Sequence, residues 1–542
     1  MATSSEATQK KLKKFLERRH PEYVRMLPHW QFLELCYEGG RAWFPNNIFK
    51  YVKEGDKEYK DRLDRAYRFN HTKEVVDLVD KYLFKMEAHR KDADAPSSVQ
   101  EFWKKSTLNG LKIKDFMRRV SRMTSTFGRI WVVVDNTGGV AGKTLSKAEE
   151  KTAGIRTYAY IVTPQHVLDL SYDDEGCLNW ILIHEQVRDD EDPLNSSGKM
   201  ADRYRLWTKE NWTLFNVKTV AGKTMIEVDG PHDNELGEVP VFAADNTISH
   251  EPYVTGALID DIAYLDKAVT NYLSNLDAII QDQTFSQLAM PAQGVVAGED
   301  AHDKLIEMGT KRIFTYDGEG NNAPFYLSPD VKQAELILKV INKIINEIYH
   351  TVGLAGERTK EDNAMGIDNS SGVAKAYDFE RVNSLLTAKA DSLEVVENRL
   401  ARMVAKWNGE DEQVKEDLVS YPESFDVRGL YDEFDIAARL ALVEAPDGMR
   451  RKQMESVIDK LFPALKKELR DTMVKELDDW PIDPIAQAAA MTQATSMAGE
   501  SDGGGAPTGS TSGKKSGGAG TAAIKKEGKN SLANKLVKEG SK

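Results

Sequence analysis

Apolar positions change their spacing several times along this chain, and each change marks an element. Over the first 125 residues they return at three- and four-residue intervals, the helical period. Glu22 to Tyr37 is one such stretch, and Glu101 to Met123 is another. The clearest runs from Thr72 to Ala88, where Val75, Val76, Leu78, Val79, Tyr82, Leu83 and Met86 share a face. Thr72, just before Lys73 and Glu74, is read as its N-cap.

At Gly128 the texture turns to strand. RIWVVVD (129–135) is β-branched throughout, as a buried strand would be. RTYAYIV, HVLDL, LNWILIHEQ, RYRLWT, NWTLFNV and MIEVD follow at short intervals, and LGEVPVFAAD (236–245) closes the series. Turn signals at 174–176 and 209–211 separate them, which predicts an antiparallel meander. Trp131, Trp180, Trp207 and Trp212 lie in these strands. They are expected to fill a sheet core, with base stacking as the alternative.

From Glu251 the period is helical again. Leu258, Ile262, Leu265, Val269, Tyr272, Leu276 and Ile279 are spaced 4, 3, 4, 3, 4, 3, an apolar heptad seam. Asp260, Asp261, Asp266, Asp277 and Asp282 are placed off that seam. At ~1.5 Å per residue the helix would be roughly 40 Å long. A compact section with short strand-like pieces occupies 284–327. A second long helix opens at Ser328-Pro329, an N-cap followed by proline in the first turn. It carries Ala334, Ile337, Ile341, Ile344 and Ile348, with Lys332, Lys339 and Lys343 on another face, and it stops at Gly353. The polar stretch GERTKEDNAMGIDNSSG (356–372) follows. A third long helix, Val373 to Trp407, has Val382, Leu386, Leu393, Val396, Leu400 and Met403 along one side. A strand-like segment at 421–429 leads to a last helical block, Tyr431 to Trp480. The rest is rich in Gly, Ser and Thr with no apolar period, and is read as a disordered tail.

Composition narrows the class. The chain has 542 residues, 41% of them hydrophobic and 29% charged, enough for three or four domains of ~150 residues. Its two cysteines, Cys36 and Cys177, are far apart and form neither a disulfide framework nor a metal spacing, which points to a reducing compartment. No apolar run approaches the ~18 residues of a membrane span. MATSSEATQKKLKKFLERRH lacks the apolar core of a secretion signal.

The net charge is −13. Residues 498–542 hold eight lysines and four acids, so the preceding 497 residues carry −17. Such a body is poor material for tight nonspecific duplex binding, which depends on Lys and Arg displacing phosphate counterions. The cluster Lys10, Lys11, Lys13, Lys14, Arg18 and Arg19 reads either as a nucleic-acid contact or as the solvated face of a terminal helix.

Catalytic chemistry is sparse. The sequence has no phosphate loop, no G-x-S-x-G elbow and no C-x-x-C pair. His184-Glu185 has no second histidine four residues on. Asp189, Asp190, Glu191 and Asp192 fit a hard-cation site or a solvated loop. Lys304 and Lys311 near GEGNN (318–322) mimic a phosphate site without a strand–loop–helix frame. No catalytic residue, metal ligand or cofactor is assigned.

The order of elements resembles the portal proteins of tailed bacteriophages. The stretches that carry it are VTGALIDDIAYLDKAVTNYLSNLDAIIQDQ, the insert 284–327, SPDVKQAELILKVINKIINEIYHTVGL, the polar 356–372 and SSGVAKAYDFERVNSLLTAKADSLEVVENRLARM. SSGVAKAYDFE is similar to the start of that family's long helix, and GEVPVF to its usage before the first stem helix. The resemblance spans roughly residues 60 to 480 and rests on order rather than on an invariant motif.

It implies an α+β portal-type fold, with boundaries read onto this chain as follows. Residues 1–250 would be an α/β wing, 251–283 the first stem helix, 284–327 a small clip, 328–353 the second stem helix and 354–372 a channel loop. Residues 373–429 would be a long wing helix and strand, 430–483 a helical crown and 484–542 the tail. Arg358, Lys360, Glu361, Asp362 and Asn363 would face DNA from the channel loop. The seam residues Leu258, Ile262, Leu265, Val269, Leu276, Ile337, Ile341, Ile344 and Ile348 would pack between subunits.

The implied protein is a non-enzymatic virion component without cofactor, a homo-oligomeric ring of twelve copies at one capsid vertex. It would be assembled in the bacterial cytoplasm, away from any membrane. Its partners would be double-stranded DNA, the packaging ATPase (terminase), major capsid and scaffolding proteins, and head-completion or tail adaptor proteins. The rival readings are a metal-dependent nucleic-acid enzyme, using Asp189–Asp192 or His184-Glu185, and a cytosolic coiled-coil scaffold.

Overall fold

Helices open the chain, most of them where apolar side chains return at helical spacing. They are α1 (Glu6–Leu16), α2 (Pro21–Glu38), α3 (Phe44–Asn47), α4 (Asp56–Arg65) and α5 (His71–Leu83). A short strand β1 (His89–Arg90), α6 (Ser97–Lys104) and α7 (Ile113–Phe127) follow. The computed structural model describes residues 6–52, 54–137, 155–188, 190, 192, 194–220, 223–284, 287–291, 313–316, 325–327, 331–354, 372–423, 425, 446–461 and 467–477.

Two local expectations are corrected here. The cap of α5 is Asn70, whose Oδ1 accepts the Lys73 N–H at 3.1 Å. Thr72 is instead a buried first-turn residue, and its hydroxyl donates to Asp266 at 2.8 Å. The helix expected over 101–123 is two helices. The break includes Gly110 at φ 78°, a left-handed conformation that glycine takes without strain.

The β region divides into two sheets rather than one meander. Its strands are β2 (Arg129–Asn136), β3 (Thr157–Val162), β4 (Val167–Tyr172), β5 (Leu178–Arg188), β6 (Met200–Thr208), β7 (Asn211–Val220), β8 (Lys223–Asp233) and β9 (Val241–Asp245). Strands β4 to β8 form a five-stranded antiparallel meander in chain order. β2 is the centre of a second sheet, between β3 and β9. Residues Ile130 to Val134 are at most 2% exposed, so β2 is buried on both faces, which is why it reads as an unbroken apolar run. Trp131 and Trp207 are buried, and Trp180 and Trp212 pack half-buried against the same core. All four therefore serve the core rather than a base-stacking surface.

Next come α8 (Asp260–Thr284), β10 (Gln287–Pro291), β11 (Ile313–Tyr316), β12 (Phe325–Leu327) and α9 (Val331–Thr351). The three short strands make a sheet of their own, with β10 parallel to β11 and antiparallel to β12. α9 packs against α8. α10 (Gly372–Trp407) is 36 residues long, roughly 54 Å at ~1.5 Å per residue. It packs on α5, α6, α7, β2 and β9, with Leu386, Leu393, Val396, Leu400 and Met403 buried and Val382 half-buried.

β13 (Val419–Ser420) pairs with β1. Of the strand expected at 421–429, residues 421–423 and 425 are not in a strand and the rest lie outside the described residues; the Tyr421 hydroxyl donates to the buried Glu397 at 2.7 Å. Arg90 completes that knot, 2.7 Å from Glu397. The chain divides into Met1–Val427 and Arg428–Lys542. In the second unit the described helices are α11 (Asp447–Leu461) and α12 (Lys467–Glu476), inside the stretch assigned to a crown. Helices and largely antiparallel sheets segregated along the chain make the fold α+β.

Candidate functional site

The paired long helices are the feature that sets this chain apart, and their packing decides what each face can do. On α8 the buried positions are Ile262, Ala263, Asp266, Val269, Thr270, Leu273, Ser274 and Leu276. That face is wider than a heptad seam because α8 packs against α2, α5 and α9 together. Leu258 precedes the helix, and its N–H donates to the Ser125 carbonyl at 3.0 Å. Leu265 is half-buried.

Asp266 was placed off the seam, yet it is fully buried. A lone buried carboxylate is prohibitively costly, and this one is matched. It accepts the Thr72 N–H at 3.2 Å and pairs with Arg68, whose guanidinium lies 4.5 Å from the Trp43 ring centroid. On α9, Ile341 and Ile348 are buried with Ile345 and Tyr349, while Ile337 and Ile344 are half-buried. The Tyr349 hydroxyl donates to Glu74 at 2.5 Å and lies 3.2 Å from His71 Nδ1. α9 is thereby tied to α5 as well as to α8.

Of the seam residues expected between subunits, Ile262, Val269, Leu276, Ile341 and Ile348 are buried within one chain. The outward face of α9 carries Lys332, Leu336, Lys339 and Lys343, with Leu336 63% exposed.

The residues assigned to a channel loop, Arg358, Lys360, Glu361, Asp362 and Asn363, lie outside the described residues. Their flanks are placed. α9 ends at Thr351, Gly353 follows at φ 74°, and α10 begins at Gly372. Of the insert 284–327 the described parts are Thr284 and its three strands, and the tail 484–542 is outside.

The candidate catalytic groups are engaged in pairs. His184 Nε2 is 2.9 Å from Asp202, and Glu185 pairs with Arg203 and Arg205. Arg205 also reaches Asp135 at 3.1 Å, and burial pushes that carboxyl above the usual range. Asp190 is 3.7 Å from Arg188, and Asp192 accepts the Leu194 N–H at 2.9 Å. Asp189 and Glu191 lie outside the described residues. Among the described residues no three His, Cys, Asp or Glu side chains gather as metal ligands would. A cleft of about 560 Å³ is lined by Trp131, Tyr172, Ser392 and Arg399 around the Arg129–Asp245 pair, itself closed at 2.6 Å.

Among the buried charges that the sequence reading did not single out is a lysine. Lys389 is 1% exposed, and its Nζ donates to Asn246 Oδ1 at 2.7 Å. Burial pulls its ammonium down to about 7. The signal was available, since position 389 follows Leu386 by three and precedes Leu393 by four, on the apolar stripe of α10.

No family model matches the chain, and no curated protein matches it. Among the solved structures similar at low level are two from gene transfer agent particles. One is a chain from the neck of an empty GTA particle computed with C6 symmetry, at a TM-score of 0.33. The other is from the virion of a native gene transfer agent (GTA) particle, at 0.34. Each is 10% identical, with 74% of this chain and 89% of the other covered.

Proposed function

We propose that this chain is a portal-type subunit, one copy of a closed ring at a capsid vertex through which double-stranded DNA enters and leaves. One observation carries the reading. Two long helices pack on each other, a small separate sheet lies between them in the chain, and a 36-residue helix then spans the α/β body. The helix pair and its insert suit a stem with a docking tip, and the long helix suits a brace that holds the stem to the body.

An acidic body lets a duplex pass without the salt-dependent grip that a lysine-lined bore would exert. The seams hold each stem together internally, so contacts between copies fall to outward faces such as that of α9. The insert is the docking surface for the packaging ATPase and later for head-completion or tail proteins, and the ring sits among capsid and scaffolding proteins. No chemistry is assigned to the chain itself.

Native mass spectrometry of the purified chain tests this. A closed ring near twelve copies supports the reading. A monomer with divalent-dependent nuclease activity would replace it with an enzyme, and a discrete dimer with a scaffold.

A further inference from the structure

The densest cluster of unneutralised charge among the described residues is on α1, and the fold holds it in a fixed place. The helix lies across the five-stranded meander. At one end the Gln9 side chain brackets Ile226 of the edge strand β8, donating to its carbonyl at 2.9 Å and accepting its N–H at 3.0 Å. Four residues past the helix, at the cap of α2, the His20 N–H donates to the Leu168 carbonyl of the opposite edge strand β4 at 2.9 Å. Leu12, Phe15 and Leu16 face the core, with the Phe15 and Phe215 rings 6.2 Å apart.

Lys10, Lys11, Lys13 and Lys14 point the other way, all exposed. Only Lys13 has an ion pair, a loose one of 3.9 Å to Glu17. Acids are in excess in this chain, 86 against 73 bases, and several lysines elsewhere pair with them. Lys50, Lys114, Lys209 and Lys406 all sit 2.6–2.7 Å from a carboxylate. Lysines three and four apart on one helix also repel one another. The cluster therefore weakens α1 and, among the described residues, returns only that one loose pair.

We propose that this face of α1 binds the phosphate backbone of double-stranded nucleic acid. Charge complementarity selects a polyanion. Composition selects nucleic acid over an acidic protein, because protein interfaces are anchored by aromatic side chains and Arg and are poor in Lys. Arg18 and Arg19 are already committed, the first to Asp169 at 2.5 Å and the second to the Leu16 and Arg18 carbonyls. No large apolar side chain of α1 is exposed. Point charges on a straight rod give sequence-independent contacts. The site is distinct from the helix pair, and the inference holds whether or not the chain forms a ring.

The test is salt-dependent binding of the full chain to a labelled random-sequence duplex, read by fluorescence anisotropy. Replacing the four lysines by glutamine (K10Q, K11Q, K13Q, K14Q) is expected to weaken binding and to flatten the slope of log affinity against log salt by about three to four, at roughly 0.9 per lost phosphate contact. The four-arginine variant is expected to restore affinity and slope. K57Q with K60Q and K81Q, exposed lysines on α4 and α5, is the control and should leave the slope in place. An unchanged slope in the four-glutamine variant overturns the proposal, as does absence of duplex binding by the wild-type chain at low salt. An unchanged melting temperature of the variant shows that a lost slope is not lost folding.

Discussion

Arg68 and Asp266 pair beneath the Trp43 ring with only 4% and 0% of their side chains exposed, joining the segment before α5 to the middle of α8. Removing one partner strands the other charge. Asp266→Ala is expected to cost about 3–5 kcal/mol of stability, whereas Arg68→Met with Asp266→Leu should cost less but not nothing, because the buried Thr72 N–H and hydroxyl lose their acceptor. Denaturant midpoints of the two variants decide it. A cost for Asp266→Ala below about 1 kcal/mol, the range of exposed pairs, would contradict the placement of α8.

The seam of the helix pair belongs to the fold of one chain. Ile262→Ala and Ile341→Ala should each cost about 2–5 kcal/mol, the usual cost of emptying a buried aliphatic site. Leu336→Ala, on the outward face, should stay within about 0.5 kcal/mol. Urea melts at concentrations too low for association separate these outcomes. Equal, small effects at all three positions would return the seam to an inter-subunit role.

Periodicity carried the architecture well where one face of an element is buried. The long helices, the run at β2 and the strands of the meander were all readable, because burial of one face writes a period into the residues. What stayed hidden depends on partners distant in sequence. Asp266 looked like a solvated acid, since its partners Arg68 and Thr72 lie almost 200 residues earlier. β2 and β9 pair across more than 100 residues, so two sheets looked like one series. Lys389 sat on an apolar stripe, but its acceptor, Asn246, comes from the end of a strand. The resemblance to portal proteins gives that order its proposed meaning, and the described residues stop at Leu354 and resume at Gly372, on either side of the proposed loop.

Lys389 should make stability rise with pH. Its folded-state ammonium is pulled down to about 7, below the ordinary lysine value of about 10.4. Between those values the unfolded chain binds a proton that the folded chain does not. This group's penalty is therefore full below about pH 7 and fades toward pH 10. Lys389→Met should flatten the stability–pH slope between pH 7.5 and 9.5 by up to about 1.4 kcal/mol per pH unit. A slope that matches wild type would mean that the lysine is charged and solvated in the fold.

Arg358 and Lys360 are proposed as the phosphate-touching cations of the channel loop, with Glu361 and Asp362 limiting their grip. Reversing both cations to glutamate should alter DNA translocation or retention and leave ring assembly intact. Filled-head assays with the double variant check this, alongside crosslinkers placed at position 360. Normal packaging and retention, or no DNA captured from that position, would remove the loop from the channel.

The most direct test of the central claim is electron cryomicroscopy of the purified, assembled chain. The account predicts closed rings with an axial bore, with the α8–α9 pairs arrayed around that bore and the small β10–β12 sheets gathered at one end. Monomers or compact dimers at every concentration, or rings whose α8–α9 pairs lie on the outer rim, would contradict it.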